Sequence, residues 1–365
     1  MGKSSLLTFL FIASMSKRIV YGVLNWGLGH ATRSKLVIKE LLMRDYEVLV
    51  VSDGECLAWL QNEFPQLEFV NFPAYNVRYS SKNSQWLKLA AQLPKINLAV
   101  KRERALLREI VKNRQVDGII SDNRLGFFHP DIPCVYISHQ LKLSFGWAST
   151  LASLAHAHFI NNFNQLWIPD TEDHLLAGNL SVPDHIKIPY KYVGPLSHFS
   201  FSKSVVSGDY TVAVLSGPEP QRSLLEKKIL EQWKPQMNRL LLVRGSNETG
   251  IPLSKQDNIM IYPRLETDRL QSLISGAQLI ISRSGYSSIM DYYKLDKNAL
   301  LIPTPGQGEQ EYLAKHLLQH NRFYSVSQKD LQLSQDLAKA STYFGFSRVQ
   351  QKQEHANWDQ LFSLF

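Results

Sequence analysis

The chain has little cysteine: only Cys56 and Cys134 occur among its 365 residues. Two cysteines cannot build a disulfide framework or a cysteine zinc site, so we interpret both as small buried apolar side chains. Glycine and proline, at 19 and 16 residues, are too sparse for a collagen-like or low-complexity chain. Hydrophobic residues make up 44% of the chain, which is enough to form real cores. At roughly 150 residues per domain, the length predicts two domains.

The sequence also lacks an apolar run of the ~18 residues that a membrane-spanning helix needs. Residues 6–13 resemble the short hydrophobic core of a signal peptide, but Met15 follows at once and Arg18 opens the first predicted strand. The segment is either a cleaved signal or lies upstream of a true start at Met15. We favour the start at Met15.

Acidic residues are too few to balance the basic ones, and the formal net charge is +8. Residues 78–114 hold ten basic and two acidic residues, so this stretch alone carries the whole excess. A nucleic-acid protein would spread its basic residues over a wider face. One local patch fits an anionic membrane surface better, and we expect no nucleic-acid partner.

The basic stretch includes a predicted amphipathic helix at residues 97–114. We interpret it mainly as a helix that covers a sheet and has a charged outer face. Contact with anionic lipid is the functional alternative, with Trp86 and the apolar residues around it at the interface. The predicted apolar stripe consists of Leu106, Leu107, Ile110 and Val111, and the predicted outer face consists of Arg102, Arg104, Arg108 and Lys112.

Short apolar runs alternate with helical patterns along the whole chain. This alternation predicts an α/β protein with two doubly wound, Rossmann-like domains that face each other across a cleft. We place the first domain at residues 15–195, a linker rich in serine and glycine at 196–208, and the second domain at 209–345. The predicted buried strands are 19–24, 47–52, 118–121, 134–138, 210–215, 239–243, 258–261, 279–282 and 299–302.

A glycine-rich loop follows the first predicted strand and contains Gly27 and Gly29. Such a loop exposes backbone N–H groups at the positive end of a helix and suits an anion. The rival interpretation is a dinucleotide fingerprint, for which Asp53 would be the ribose-binding acid. Thr32 stands where that fingerprint needs its third glycine, so the match is weak.

His30 lies at the start of the first predicted helix, beside the crevice where open parallel sheets bind ligands. A neutral imidazole there could take a proton from a hydroxyl. Asp122, just after the predicted strand 118–121, is the candidate to fix its tautomer. The alternative is that His30 only caps the helix backbone.

Two further loops carry candidate ligands in the second half. Ser284 and Gly285 form a turn before a helix, which suits a diphosphate, and Asp291 shares the face of Ser284 seven residues later. Glu309 and Gln310 begin another helix and could bind a polyol. The alternative for both loops is ordinary helix capping with solvated acids.

Together these motifs resemble the glycosyltransferases of the two-domain GT-B fold, especially family 28. That family includes the enzyme that adds N-acetylglucosamine to lipid-linked muramyl-pentapeptide. The resemblance runs from residue 15 through nearly the whole chain. It rests on GLGHATR at residues 27–33 and on SRSGYSSIMD and IPTPGQGEQEYLA at residues 282–291 and 302–314.

The resemblance implies that a UDP-sugar binds mainly to the second domain. It makes Asp291 the ribose ligand and the Glu309–Gln310 pair the ligands of the donor sugar. Glu309 stands where the family usually has aspartate, and Leu313 where asparagine is common, which leaves the sugar open. The implied donor-binding residues are Ser216, Gly217, Arg222, Arg283, Ser284, Gly285, Asp291, Glu309 and Gln310.

On the acceptor side the resemblance makes His30 the general base, oriented by Asp122. His139 resembles a histidine of the family's acceptor loop and is a second, weaker candidate. The implied reaction displaces the diphosphate at the anomeric carbon, with Arg283 or Arg222 stabilising the leaving group. We expect no metal ion and no other cofactor, since no D-x-D pair is suitably placed.

The remaining expectations follow from this interpretation. Residues 346–365 should form a helix that packs back on the first domain. The donor is a nucleotide-sugar, the acceptor is unknown, and the location is cytoplasmic, with attachment to the inner face of the membrane as an addition. A nucleotide-sugar epimerase of the same fold is the main alternative function, and an NAD-dependent oxidoreductase is a weaker one.

Overall fold

The computed structural model describes residues 16–75, 93–143, 149–200, 208–245, 254–256, 258–347 and 356–365. The segment at 6–13 that resembles a signal peptide and the apolar residues around Trp86 lie outside these ranges. Within them, no helix is both long enough and apolar enough to cross a membrane.

Seven strands of the described residues form the first sheet, and every neighbouring pair is parallel. The strands are β1 (Arg18–Val23), β2 (Glu47–Ser52), β3 (Glu68–Asn71), β4 (Gly118–Asp122), β5 (Cys134–Ile137), β6 (Gln165–Ile168) and β7 (Tyr190–Tyr192). Their order across the sheet is β3-β2-β1-β4-β5-β6-β7. The order reverses between β1 and β4, and such a switch point is where doubly wound sheets bind ligands.

Helices cover this sheet, which is why the central strands are continuous apolar runs. Residues three and four apart in the first helix, among them Val37, Ile38 and Leu41, are completely buried. The helices are α1 (Leu28–Leu42), α2 (Gly54–Glu63), α3 (Leu93–Asn113) and α4 (Ser149–Ile160).

One side chain of α3 departs from the predicted outer face. Arg104 is half-buried, and its guanidinium carbon lies 4.3 Å from the centroid of the Phe128 ring. Its long aliphatic stem favours this packing against an aromatic side chain. The exposed basic face of α3 therefore excludes Arg104, whereas Arg102, Arg108 and Lys112 are exposed as predicted.

The second sheet also has seven strands among the described residues. The strands are β8 (Tyr210–Val214), β9 (Arg239–Val243), β10 (Ser254–Gln256), β11 (Ile259–Tyr262), β12 (Leu279–Ser282), β13 (Ala299–Leu301) and β14 (Tyr324–Ser325). They lie in the order β10-β11-β9-β8-β12-β13-β14, and only the β10–β11 pair is antiparallel. Its switch point lies between β8 and β12.

The helices of the second sheet are α5 (Gln221–Gln232), α6 (Thr267–Gly276), α7 (Tyr286–Leu295), α8 (Gly308–Gln319) and α9 (Leu333–Ala340). The predicted fold class is confirmed: two doubly wound parallel sheets alternate with helices. The proposed domain boundaries at residues 195, 208 and 345 stay predictions.

The last helix, α10 (Trp358–Phe362), lies against the first sheet. The Phe362 ring packs on the Trp167 ring at a centroid distance of 5.9 Å. Nε of Arg44 donates to Asp359 at 2.6 Å, and Nζ of Lys17 donates to the carbonyl of Phe365 at 2.5 Å. The end of the chain is thus attached to the domain that contains its beginning.

Candidate active site

The first candidate site lies at the switch point of the first sheet, between the loops that follow β1 and β4. Gly27 has φ +91°, a backbone conformation that side chains with a Cβ rarely adopt, and helix α1 begins at the next residue. A Cβ added at Gly27 would have no heavy atom within 4 Å. The loop therefore borders open space, and it places His30 in the first turn of α1.

His30 and Asp122 are in contact, as the sequence predicts. Nδ1 of His30 lies 2.6 Å from Oδ1 of Asp122 at the carboxyl end of β4. The Asp122 carboxylate is completely buried, whereas 14% of the His30 side chain is exposed. No described residue hydrogen-bonds Nε2 of His30, so the outer nitrogen is the one available to a ligand.

Arg33 completes this cluster, and sequence reasoning gave it no role. Its Nε donates to Oδ2 of Asp122 at 2.6 Å, and its Nη2 donates to Oδ1 of the same carboxylate. Nη2 also lies 2.8 Å from Nδ1 of His30. The available signal was the spacing, since residues three apart on a helix share one face. Ser34 adds a further hydrogen bond to Oδ2 of Asp122, at 3.1 Å.

The electrostatics of the cluster favour an ionised Asp122 and a neutral His30. Burial alone would raise the pKa of Asp122, but the charge of Arg33 and the hydrogen bonds from Arg33 and His30 outweigh it and hold that pKa below its usual range. The pKa of His30 is lowered, first by burial and then by the Arg33 charge, although Asp122 acts in the opposite direction. A neutral imidazole is the form that can accept a proton.

His139 belongs to the same cluster but has no free nitrogen. Its Nδ1 lies 3.3 Å from Nη1 of Arg33, and its Nε2 lies 3.0 Å from Oε1 of Glu309. The His139 ring stacks on the Tyr286 ring with a centroid distance of 3.7 Å and an angle of 4° between the planes. Glu309 and Tyr286 both come from the second domain, so His139 is a contact between the two domains.

The switch point of the second sheet carries the loops predicted to bind the donor. Ser216 and Gly217 are exposed after β8, and Gly217 has φ +96°. Gly285 precedes α7, and a Cβ added there would meet nothing within 4 Å. Ser284 is buried, and its Oγ donates to the carbonyl of Gln310 at 2.8 Å. The structure thus brings the two predicted loops to one edge of the second sheet. The buried Ser284 holds the backbone of Gln310 at that edge through its hydrogen bond.

Thr304, which sequence reasoning did not select, lies at the same edge. Its Oγ1 is buried and has no hydrogen-bond partner among the described residues, and it would lie 3.5 Å from a Cβ added at Gly217. A buried hydroxyl without a partner is unusual and is one of the groups that a ligand can satisfy. Thr304 lies within the motif at residues 302–314, but that motif gave no reason to single out its hydroxyl.

Both predicted arginines, Arg283 and Arg222, have partners within the protein. Arg283 is almost completely buried, and its guanidinium donates to the backbone carbonyls of Gln221, Ile302 and Pro303. Its hydrogen bonds therefore connect the start of α5 with the residues after β13, and the guanidinium does not face the open edge of the second sheet. Nη2 of Arg222 forms an ion pair with Glu219 at 2.8 Å. Nε of Arg283 is buried without a hydrogen-bond partner among the described residues, whereas Nη1 of Arg222 also donates to the carbonyl of Gly245 at 2.9 Å.

The other predicted donor ligands are distributed around this edge. Oδ1 of Asp291 accepts a hydrogen bond from Ser197 at 2.5 Å, and burial raises the pKa of Asp291 to about 7 against the effect of that bond. Oε1 of Gln310 accepts from the backbone N–H of Thr304 at 2.8 Å. Glu309 reaches across to His139. Gln310 thus fixes the loop backbone at Thr304. Glu309 directs its carboxylate at His139 of the first domain, and Asp291 directs its carboxylate at Ser197.

The two domains approach most closely where α1 and α7 begin. A Cβ added at Gly29 would collide with the Ser287 hydroxyl and would lie 3.2 Å from Cβ of Ser287. The amino ends of both helices carry partial positive charge. They therefore point their positive ends into the same region between the domains.

Asp53, the acid of the dinucleotide alternative, is not free to bind a ribose. Its Oδ1 accepts from Nη1 of the buried Arg124 at 2.9 Å, and its Oδ2 accepts from Asn25 at 3.1 Å. Nε of Arg124 also donates to the buried Glu103 at 2.7 Å. Asp53 thus belongs to a structural ion cluster. Among the residues that the structure describes, no group of three or more histidines, cysteines and acids is arranged to hold a metal ion.

Two family models match this chain, one over the part that forms most of the first sheet and one over the part that forms the second sheet. Residues 212–358 match the model of the glycosyltransferase family 28 C-terminal domain, and residues 17–181 match that of glycosyl transferase family 1. A curated relative is the UDP-N-acetylglucosamine–N-acetylmuramyl-(pentapeptide) pyrophosphoryl-undecaprenol N-acetylglucosamine transferase of Sulfurihydrogenibium sp. (strain YO3AOP1). It is 26% identical over 140 residues, which are 38% of this chain and 39% of the relative's own length.

Solved structures share the fold over nearly the full chain. The calicheamicin glycosyltransferase CalG4 aligns with a TM-score of 0.65 at 12% identity, over 96% of this chain and 98% of its own. Arabidopsis thaliana UGT89C1 in complex with UDP-L-rhamnose aligns with a TM-score of 0.59 at 11% identity, over 95% and 93% of the two chains. At such identities the likeness shows the two-domain fold.

Proposed function

Since the chain is a family 28-like glycosyltransferase of the GT-B fold, we propose that it transfers a hexose or N-acetylhexosamine from a UDP-sugar to an acceptor hydroxyl. The family 28 model over residues 212–358 supports the donor class. The acceptor is proposed to be a lipid or glycan of the cell envelope. That assignment rests on the weak similarity to the curated relative and on the basic face of the first domain.

The observation that carries this proposal is the pair formed by His30 and Asp122. The inner nitrogen of His30 contacts a buried carboxylate at 2.6 Å, and its outer nitrogen has no protein partner in the described structure. This is the arrangement of an oriented general base. It lies at the switch point of one sheet, and the switch point of the other sheet supplies the loops proposed to bind the donor.

In the proposed reaction, Nε2 of His30 takes the proton of the acceptor hydroxyl as its oxygen attacks the anomeric carbon. The bond between that carbon and the diphosphate oxygen breaks, and the electron pair leaves with UDP. Asp122 stabilises the imidazolium that forms on His30. A single displacement of this kind inverts the configuration at the anomeric carbon.

The leaving diphosphate gains charge as the bond breaks, and backbone groups are the available stabilisers. The amino end of α7 at Gly285 and the Gly217 loop both border the proposed donor position. Their N–H groups and the helix dipole stabilise an anion without reorganisation during the reaction. We assign no direct role to Arg283, because its guanidinium is buried on backbone carbonyls.

We also propose that the exposed basic face of α3 contacts anionic lipid. Lys101, Arg102, Arg108 and Lys112 are exposed on this helix, and each basic residue near a membrane surface contributes about 1 kcal/mol. Co-sedimentation with phosphatidylcholine vesicles, with and without phosphatidylglycerol, tests the contact. Binding that requires phosphatidylglycerol and weakens when these four residues are changed to glutamine supports it. Binding that is independent of anionic lipid contradicts it.

A panel of nucleotide-sugars, with NAD and NADP as controls, tests the donor class. Thermal shift should show stabilisation by UDP-sugars, together with slow release of UDP and no response to NAD. Chromatography of the recovered nucleotide-sugar separates transfer from epimerisation, because an epimerase returns the isomeric UDP-sugar. Stabilisation by NAD alone would overturn the proposal.

A further inference from the structure

We propose that Arg33 is a positioning residue whose charge keeps His30 neutral, while Asp122 and Glu309 fix opposite tautomers on His30 and His139 and leave only His30 with a free basic nitrogen. The tautomers are a property of the free protein. Their catalytic consequence rests on the proposed function. The inference goes beyond the predicted pair of His30 and Asp122, because it concerns why one of two neighbouring histidines is the base.

Arg33 is suited to this task by its position and burial. It is 3% exposed and lies one helical turn after His30 on the same face of α1. Its Nε and Nη2 bind both oxygens of Asp122, and its Nη1 points to Nδ1 of His139. One rigid guanidinium therefore contacts the carboxylate and both histidines. Lysine, with a single nitrogen, could not make these contacts at once.

The tautomer of His139 follows from its two partners. A guanidinium has only donors, so the contact at 3.3 Å with Nη1 requires that Nδ1 of His139 be the acceptor. The proton of the neutral ring then lies on Nε2, which donates to Glu309 at 3.0 Å. Both nitrogens are used, and the ring face is covered by Tyr286. His139 in this state cannot take a proton from an acceptor.

The tautomer of His30 is the opposite one. Nδ1 of His30 and Oδ1 of Asp122 lie 2.6 Å apart, and two lone pairs at that distance would repel each other. A proton therefore lies between them, on Nδ1, and Nε2 of His30 carries the free lone pair. Nη2 of Arg33 lies 2.8 Å from the same Nδ1, and both nitrogens contact Oδ1 of Asp122, so two donors meet at one carboxylate oxygen. The guanidinium charge therefore lies beside the ring and opposes a second proton.

The charged and titratable groups that act on His30 come from four elements. Asp122 on β4 and Glu309 on α8 favour the protonated ring, while Arg33 on α1 and burial oppose it. His139, in the loop after β5, is neutral in the tautomer derived above. Without Arg33, Asp122 and Glu309 would favour the protonated ring and only burial would oppose it. The pKa of His30 would then be higher than in the wild type.

Histidine nitrogen spectra of the full-length protein test this inference without any donor. The variants are Arg33→Met, which removes the charge, and Arg33→Lys, which keeps it, with Arg239→Met on the exposed start of β9 as the matched control. Long-range ¹H–¹⁵N correlations report the tautomer of each of the 11 histidines. His30→Gln and His139→Gln assign the two signals.

The wild type and the control should show His30 protonated on Nδ1 and His139 protonated on Nε2. In Arg33→Met both tautomers should persist, because Asp122 and Glu309 still fix them, and the pKa of His30 should rise by about one unit or more. If Arg33→Met fails to fold, Arg33→Gln, which also removes the charge but keeps hydrogen-bond donors, decides the question. The pKa of His30 should rise in Arg33→Gln and stay near the wild-type value in Arg33→Lys. An unchanged pKa of His30 in folded Arg33→Met or Arg33→Gln would overturn the proposal.

Turnover provides a second, separate readout. The acid limb of the pH profile of kcat/KM should move to higher pH in Arg33→Met, and activity should partly recover in alkaline buffer. A merely structural defect would lower activity at every pH without moving the limb. If no donor is consumed by the wild type, the proposed function fails, while the spectra still decide the role of Arg33.

Discussion

The Nδ1 atom of His30 lies 2.6 Å from Oδ1 of Asp122, although the two residues are 92 positions apart in the chain. The pairing of β1 with β4 creates this proximity, because the two strands are parallel neighbours and Val23 is in register with Asp122. The loop after β1 and the end of β4 therefore meet at the same edge. The site is a consequence of strand order and of two correctly placed polar residues.

His30→Ala should reduce turnover by about 10²–10⁴-fold, the usual contribution of a general base. Donor affinity should change little, since the donor is proposed to bind mainly the second domain. Single-turnover kinetics and calorimetric titration with UDP-N-acetylglucosamine measure the two effects separately. A comparable loss of donor affinity would place His30 in donor binding.

Arg124→Met should destabilise the first domain by about 3–5 kcal/mol, because it leaves the buried carboxylate of Glu103 without its counter-charge. Equilibrium unfolding in urea measures the change. The matched control is Arg114→Met, which removes a surface ion pair with Glu68 and should cost about 0–1 kcal/mol. Equal losses in the two variants would show that Arg124 is not the centre of a buried ion cluster.

Donor binding should depend on pH through Asp291. Burial raises the pKa of this carboxyl to about 7, so it is mostly protonated at pH 6 and mostly ionised at pH 8. Only the ionised form accepts hydrogen bonds from both ribose hydroxyls, and affinity should therefore increase as the pH rises. Titration with UDP-N-acetylglucosamine at several pH values measures this, since its diphosphate stays ionised throughout. Asp291→Asn should bind more weakly and without this pH dependence.

Gly29→Ala should impair catalysis by pushing the two domains apart. The new Cβ would collide with the Ser287 side chain at the start of α7. A displacement of about 1 Å at a reacting centre can cost about 10²-fold in rate, so a loss of about ten- to a hundredfold is expected. Adding Ser287→Gly should restore most of kcat/KM. Failure of this second change to restore activity would assign the defect to the glycine loop itself.

The sequence was sufficient to predict the central strands and the pairing of His30 with Asp122. Continuous apolar runs such as β1 and β8 mark buried parallel strands, and polar residues at their carboxyl ends meet by topology. The edge strands β3, β7, β10 and β14 were not predicted, because they are short or partly exposed and carry no continuous apolar pattern. The buried strand β6, which lies between β5 and β7, was also missed, because its apolar run is only three residues long. Local pattern thus identifies the strands with long apolar runs and loses the short ones.

Apart from the pairing of His30 with Asp122, side-chain contacts between distant segments were not predicted. Arg33 in a helix and Arg283 after a strand are equally consistent with a surface or a buried position. Only the fold shows that the first binds Asp122 and the second binds backbone carbonyls. The contact between His139 and Glu309 joins residues 170 positions apart on two domains, and no spacing within either motif encodes it.

The return of helix α10 to the first sheet has a mechanical consequence. The polypeptide passes from the first domain to the second near residue 200 and comes back before Trp358, so two covalent tethers join the two halves. Two covalent connections restrict the relative motion of the two domains largely to rotation about the line that joins the connections. A chain truncated after the first sheet would also lose the Phe362 side chain that packs on Trp167. The first sheet is therefore covered in part by a segment that follows the second sheet in the sequence, and its packing is complete only after the second domain has been synthesised.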